Sequence, residues 1–407
     1  MLLEGWVSRM SGIWEEYVWP GDAGGQTRAL RQGGRFKAWL PNRLDVAQVQ
    51  VPITLFEVLQ GTQSTLASLQ GLSNVAGVEA VSRLFLRSEA IASSFIEGIQ
   101  VGARRLAAAE FDPGEPDQVA QQVVANIRAI DSAIGELACR PVIGVEDILS
   151  VHACLMEPVA ASVRPGPGQL RQEFVWIGGS AGPLRAAYVG PHERHLPGLM
   201  ADLADFLNRN DIPALVQAAI AHAQFETIHP FTDGNGRTGR CLIQAVLVRR
   251  GLVPSTLPPI SLALAAHRDR YIQGLVDFRA DRLDDWLSFF LWAVMDACRV
   301  GARLSAELAR LEQGWLRGAA RRDSTERRLL LDLAGFPIMT VASVARRYGV
   351  SDEAARLALT VLEERRIIRQ RVLRSRNRVW QAPDVFRLFD VLERTIRSGD
   401  LGTEPLG

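Results

Sequence analysis

Apolar residues recur at helical spacing through most of the middle of the chain. Val78, Val81, Leu84, Phe85, Ile91, Ala92, Phe95 and Ile96 fall on one stripe of a helix that should end near Glu97, with Gly98 where a helix C-terminus favours glycine. The same period returns near 118–137, 145–157, 196–209, 212–228, 238–250 and 283–312, so the pattern predicts a mainly α protein. One stretch breaks the rhythm. "EFVWIGG" and "AAYVGP" are rich in β-branched and aromatic residues and flank the turn-forming "SAGPLR", which predicts a β-hairpin standing on the helical body. Residues 1 to about 75, with "VWPGDAGG" and "GGRFKAWLP", read as irregular, turn-rich connections.

After residue 320 the sequence becomes arginine-rich and a short further domain begins. "TVASVARRYGVSDEAARLALTVLEERRIIRQ" predicts a helix from Val341, a turn at Gly349, Ser351 as N-cap and a second helix to about Glu364, the spacing of a helix-turn-helix. Segments 367–370 and 377–381 suit the strands of a wing, with Arg374, Arg376 and Arg378 at its tip, so a C-terminal winged helix-turn-helix is expected. Asp352, Glu353, Glu363 and Glu364 put acid on or beside the second helix, where DNA phosphates are repelled. DNA binding through residues 321–390, protein docking and homodimer formation all stay open for this module.

Composition narrows the class. A chain of 407 residues implies two to three domains. Apolar content of 47% and a net charge of +1 describe a globular protein with no overall bias toward nucleic acid or a membrane. Cys139, Cys154, Cys241 and Cys298 never form C-x-x-C, which argues against a disulfide scaffold or a zinc site and predicts buried, reduced thiols. The first ten residues carry Glu4 and lack a continuous apolar core, and the longest apolar run, Trp286 to Met295, is far short of a membrane span. A cytoplasmic protein is the expectation.

The candidate chemistry lies in "HPFTDGNGRTGR", His229 to Arg240. Gly234, Gly236 and Gly239 spell G-x-G-x-x-G, but the buried strand before them and the acid some twenty residues after, which a dinucleotide site needs, are both missing. No lysine stands where a Walker loop needs one. The preceding "DIPALVQAAIAHAQFETI" has helical spacing, with Asp211 as N-cap and Pro213 in the first turn. Pro230 disfavours helix at His229, so that helix should end there. Gly234 and Gly236 let the backbone turn its N–H groups inward, and a second helix starting near Arg237 adds its positive end. The result is a phosphate cradle between two helices. Arg237 and Arg240, three apart, share a face and suit successive phosphates of a polyphosphate. Asp233 suits a Mg²⁺ that bridges the same phosphates. His229, whose side chain titrates near neutrality, suits a general base.

His229, Pro230, Phe231, Asp233, Gly234, Asn235, Gly236, Arg237 and Arg240 match H-P-F-x-[D/E]-G-N-G-R-x-x-R, and the stretch resembles the active-site motif of Fic-domain proteins. The resemblance implies a Fic helical core that binds ATP and Mg²⁺ and transfers AMP to a Tyr, Thr or Ser hydroxyl of a protein. His229 would be base, Asp233 on the metal, Asn235 and backbone amides on the α-phosphate, and the arginines on the outer phosphates, with Phe231 as a core anchor. Glycine at 236 matters, since relatives with lysine there resemble kinases instead. The hairpin, Glu173, Phe174, Val175, Trp176 and Ile177 with Ala186, Ala187, Tyr188 and Val189, is similar to the family's flap, which clamps a target by strand addition. Ser93, Glu97 and Gly98 match [S/T]-x-x-x-E-[G/N] and resemble the family's inhibitory motif, whose carboxylate would engage Arg240. Independently of that, a carboxylate in the last turn of a helix faces the negative end of its dipole, where a cationic partner makes sense.

The expected domains are 1–110 with the inhibitory helix at about 78–98, a catalytic domain at 111–312, and the winged-helix-like 321–390. The expected activity is protein adenylyltransferase, including self-modification. Two rivals stand beside it: removal of AMP from a modified protein, with Glu97 orienting water, and a DNA-binding regulator whose Fic domain senses nucleotide.

Overall fold

The computed structural model describes residues 12–399 except 22–23, 25–30, 45–48, 50, 73–77, 113, 115, 180–181, 255–256, 319–322 and 373–377. Strands β1 (Gly12–Trp19) and β2 (Gly34–Pro41) precede helices α1 (Ile53–Leu72), α2 (Val78–Ile96), α3 (Ala103–Phe111), α4 (Gln118–Ser132) and α5 (Val145–Met156). Short strands β3 (Trp176–Ile177) and β4 (Tyr188–Val189) follow, then α6 (Leu196–Leu207), α7 (Ala214–Ile228), α8 (Asn235–Arg249), α9 (Ile260–Ala266), α10 (Arg268–Arg279) and α11 (Leu283–Leu316). Next come α12 (Thr325–Asp332), β5 (Ile338–Met339), α13 (Val341–Tyr348), α14 (Asp352–Glu364), β6 (Arg369–Val372), β7 (Arg378–Gln381) and α15 (Pro383–Ser398). The protein is mainly helical, as the periodicity predicts, and two compact units can be distinguished.

The first unit comprises the described residues of Met1–Gln60, Arg128–Gly251 and Asp269–Leu291. Its central element is α7, every residue of which is buried. The sequence explains this, because apolar residues, many of them alanine, lie on all sides of "ALVQAAIAHAQFETI", and its buried Gln217, His222 and Thr227 are hydrogen-bonded. Trp286 donates its indole N–H to the Ala219 carbonyl at 3.0 Å, and His222 meets the Tyr271 hydroxyl at 2.8 Å. The start of α7 departs from expectation. Pro213, not Asp211, holds the N-cap position, and Asp211 instead forms a 2.7 Å ion pair with Arg209.

The reading of the N-terminal region as irregular is corrected. β1 and β2 form an antiparallel hairpin with Gly12 opposite Pro41 and Trp19 opposite Gly34. Its inner face, Tyr17, Trp19, Phe36 and Ala38, packs on Phe174, Trp176, Leu184, Ala186 and Val189. Alternation in "IWEEYVW" is real but is broken by an exposed Ile13–Trp14 step and flanked by glycines, so what fixes the strands is aromatic packing against a partner far along the chain. The predicted β3–β4 hairpin is present, pairing Trp176 with Val189 and Ile177 with Tyr188, and its ladder is shorter than the sequence pattern.

The second unit comprises the described residues of Gly61–Ile127, Leu252–Arg268 and Trp292–Gly407. Val81, Leu84, Phe85, Ala92 and Ile96 of α2 are buried, so the amphipathic stripe is used as predicted. The buried Glu89 carboxylate accepts from the Ser261 amide at 2.8 Å and its hydroxyl at 2.5 Å, capping the start of α9. Arg87 bonds Glu110 at 2.8 Å and the carbonyls of Ala334 and Gly335 at 3.1 and 2.7 Å. Toward the C-terminus Thr340 caps α13, Gly349 closes it in the left-handed region at φ 66°, and Ser351 caps α14 by accepting from the Ala354 amide. β5, β7 and β6 form one antiparallel sheet. Glu363 is turned to that sheet, accepting from the Trp380 indole at 2.9 Å, so its charge does not add to the outer face of α14 as the sequence suggests. Asp352, Glu353 and Glu364 are exposed, as are Arg369, Arg371 and Arg378, while Arg374 and Arg376 lie outside the described residues.

The thiols also depart from expectation. All four are free, and only Cys241 and Cys298 are buried; Cys139 is exposed in the turn that follows Leu137, and Cys154 is half-buried on α5. Among the described residues no helix is long and apolar enough to cross a membrane.

Candidate active site

The twelve-residue stretch joins α7 to α8, as its glycines and proline predict. Helix α7 ends at Ile228, and His229 takes a left-handed conformation, φ 47° and ψ 60°, with its amide still bonded to the Phe225 carbonyl at 2.8 Å. That region is uncommon outside glycine, though histidine enters it more readily than most residues, and surrounding bonds help to hold it. The imidazole Nδ1 lies 3.3 Å from the Glu226 carbonyl and 3.8 Å from its carboxylate, so this nitrogen faces the protein.

Helix α8 begins at Asn235, two residues earlier than the sequence suggests, because Gly234 adopts φ 80° and takes the N-cap position itself. The amides of Asn235, Gly236 and Arg237 therefore form the first turn and lack acceptors within the helix. Gly234 is constrained by space as well as by φ: a Cβ there would lie 2.8 Å from Met156 Sδ and 3.2 Å from His152 Nε2. Asn235 staples the loop. Its Oδ1 accepts from the Phe231 amide at 2.9 Å and its Nδ2 donates to the Phe231 carbonyl at 2.8 Å, while the Phe231 ring is fully buried. One Nδ2 hydrogen remains for another acceptor. Asp233 is exposed; its Oδ1 accepts from the Gly234 amide at 2.6 Å and stands 3.6 Å from Arg237 Nη2. Arg237 and Arg240 are buried on α8. The third glycine has a packing role, since a Cβ at Gly239 would meet Glu226 Oε1 at 2.8 Å and His222 Nδ1 at 3.0 Å.

Two residues absent from the sequence reading hold this loop. His152 of α5 accepts at Nδ1 from the Gly168 amide at 2.9 Å, which makes Nε2 the protonated nitrogen that donates to the Asp233 carbonyl at 3.0 Å. Its ring stacks on Phe231 at 3.6 Å between centroids, and burial pushes its pKa down to about 4, so it is neutral. Arg171 is 3% exposed and donates only to main-chain carbonyls: Nε to His229 at 2.8 Å, Nη1 to Glu173 at 2.7 Å, and Nη2 to Pro191 at 2.6 Å. The sequence signals both poorly, since a single histidine on an apolar helical face usually reads as core, and one arginine among 46 basic residues carries no mark.

The hairpin lies beside this loop. Tyr188 donates its hydroxyl to the Thr227 carbonyl at 2.5 Å, and Glu173, Val175 and Gly190 flank the short ladder through the Gly190 amide to Val175 carbonyl bond at 3.0 Å. Phe174 and Trp176 face the N-terminal hairpin, and Ile177 is exposed. In the other unit Ser93 is buried near the end of α2, and Glu97 and Gly98 follow the helix in a turn, both exposed, with Gly98 at φ 80°. A metal fits at Asp233 only in a particular way. Among the described residues no group of three or more His, Cys, Asp or Glu could hold an ion, whereas one outward carboxylate is what Mg²⁺ uses when most of its ligands are water and substrate phosphate.

Residues 142–247 match the Fic/DOC family, and residues 56–135 match the Fic/DOC family N-terminal segment. A protein adenylyltransferase Fic of Drosophila willistoni is 33% identical over 167 residues, covering 38% of this chain and 30% of that protein. Protein adenylyltransferase fic-1 of Caenorhabditis briggsae is 32% identical over 143 residues, 34% of this chain and 25% of that protein. The chain thus spans less than a third of the length of these curated relatives. Among solved structures, a Fic family protein from Desulfovibrio desulfuricans G20 is similar with a TM-score of 0.51 and 22% identity, over 82% of this chain and 98% of that one, a likeness of fold. The stretch of the chain that matches the Fic/DOC family thus includes the loop just described and the helices on either side of it.

Proposed function

We propose that the protein is an adenylyltransferase, which moves AMP from ATP to a Tyr, Thr or Ser hydroxyl of a protein. The observation that supports it best is the Gly234 joint, where a left-handed glycine opens the first turn of α8 directly after an exposed carboxylate and five residues after a histidine. In this reading the amides of Asn235 to Arg237 and the remaining Asn235 hydrogen take the α-phosphate, and Arg237 and Arg240 take the outer phosphates. Mg²⁺ held by Asp233 would supply charge neutralisation across the phosphates. The target hydroxyl oxygen bonds to the α-phosphorus, the bond from that phosphorus to the bridging oxygen breaks, and pyrophosphate leaves. His229, with Nδ1 toward Glu226, takes the hydroxyl proton on Nε2.

Target docking falls to the flap, with strand addition along Glu173 to Ile177, and restraint falls to Glu97, whose carboxylate competes with the γ-phosphate for Arg240. The C-terminal helices serve protein docking, since Asp352, Glu353 and Glu364 are exposed on α14. Salt-dependent binding of duplex DNA to the purified chain would reverse that assignment. The decisive experiment is incubation of the protein and a cell lysate with α-labelled or γ-labelled ATP. An adenylyltransferase labels protein with the α-label alone. Label from γ-labelled ATP means a kinase, and no label from either, with ATP bound, favours a nucleotide sensor.

A further inference from the structure

Arg171 lies between two structures that the sequence treats as separate. Its side chain reaches Glu173 and Pro191, the two feet of the β3–β4 hairpin, and His229, and a longer contact of 3.4 Å reaches Ile228. Its own amide donates to the Pro230 carbonyl at 2.9 Å. All of these acceptors are carbonyls, and those of Ile228 and His229 form the negative end of α7, which a guanidinium complements. Its fork of donors in one plane is what allows a single side chain to serve hairpin and helix end together. Burial pulls its pKa down to about 10, which leaves it charged at neutral pH. Gly190 makes room for it, since a Cβ there would lie 3.2 Å from Nη2.

We propose that Arg171 is a positioning residue that couples the hairpin to His229, so that a target chain seated on the hairpin and the orientation of the base are one mechanical event. His229 takes the left-handed region, which is uncommon outside glycine, and the bonds to its carbonyl and to the Pro230 carbonyl are among the restraints on that peptide. A displacement of either hairpin foot moves the guanidinium and therefore the peptide that carries the imidazole. The nucleotide loop is held separately, by His152 and Asn235, so the coupling reaches the acceptor side of the reaction and not ATP binding.

The test compares the full-length protein with Arg171→Lys, which keeps the charge but loses the fork, and with Gly190→Ala, which crowds Nη2 and leaves the arginine in place. Hydrogen exchange is followed at the amides of Ala187 and Gly190 in the hairpin, His229 at the joint, and Thr238 in α8, all hydrogen-bonded in the protein. Coupling requires the first three to exchange about tenfold faster together in either variant, with Thr238 unchanged. Faster exchange in the hairpin with His229 unchanged overturns it, and so does acceleration of Thr238, which signals general loosening. The functional arm rests on the adenylyl-transfer reading. Labelling from α-labelled ATP should fall by about tenfold or more while the dissociation constant for ATP stays within about threefold. Equal labelling overturns the proposal. If the unsubstituted protein labels nothing, the transfer reading fails and the exchange arm still decides the coupling.

Discussion

His229 shows how little of a site a residue type alone conveys. The sequence names it as a base, but its left-handed backbone, the Glu226 contacts on Nδ1 and the Arg171 bond to its carbonyl become visible only in three dimensions. His229→Ala should lower α-label transfer by about 10² to 10⁴, with ATP binding largely kept, because the proton acceptor is lost and the amides of α8 are not. Transfer near the wild-type rate, measured beside ATP binding by calorimetry, would remove His229 from the mechanism. His152 and His222 lead to a different expectation. Burial pushes their pKa values down from 6.5, to about 4 and about 3. A base depressed in the folded state contributes stability that is fully present above the unfolded value and is lost as pH falls through the folded one. The His152 shift corresponds to about 3 kcal/mol, given up between about pH 6.5 and 4. His152→Gln should therefore flatten the dependence of urea-unfolding free energy on pH in that window and leave the share of His222. An unchanged slope would show that the buried neutral imidazole contributes nothing. The joint at Pro230 and Gly234 was marked by residue types that dictate local backbone, and Asn235 only by the resemblance to the Fic motif. His152 and Arg171 were not legible, because what marks them is their partners.

Helices α7 and α8 carry the site, and their close approach is set by one glycine. A Cβ at Gly239 would come within 3.0 Å of His222 Nδ1 and Phe225 Cδ1 and nearer still to Glu226. Alanine is the better helix former by about 1 kcal/mol, yet overpacking costs about 1 to 3 kcal/mol, so Gly239→Ala should destabilise the protein in urea unfolding. Gly198 of α6 is the control: nothing lies within 4 Å of its Cβ position, and Gly198→Ala should stabilise by up to about 1 kcal/mol. Stabilisation by both would mean that the α7–α8 contact relaxes without cost. Long periodic helices such as α2 and α11 could be read from the sequence because one repeating stripe decides them. The β1–β2 hairpin could not, since its strands are stabilised by Phe174 and Trp176, more than a hundred residues away.

At the scale of the whole chain the question is restraint, and long-range contacts such as Arg87 with the carbonyls of Ala334 and Gly335 are invisible to a linear reading. Glu97 follows the C-terminal end of α2, exposed, where the helix dipole disfavours a carboxylate by a few tenths to about 1 kcal/mol. Its removal should therefore leave folding intact. If Glu97 competes for Arg240, ATP binds with its α-phosphate out of line, and since transfer needs the reacting atoms within about 3 to 3.5 Å of each other, the rate is suppressed while affinity is not. Glu97→Gly should then raise labelling from α-labelled ATP by about tenfold or more with ATP affinity little changed. Arg240→Ala should not activate, because the anchor of the inhibitor and that of the γ-phosphate are lost together. Glu97→Gln separates charge from space: a neutral amide of the same size should activate if the carboxylate charge is what holds Arg240. A folded, ATP-binding Glu97→Gly protein that labels no better than the parent would leave α2 a structural helix and end the case for autoinhibition.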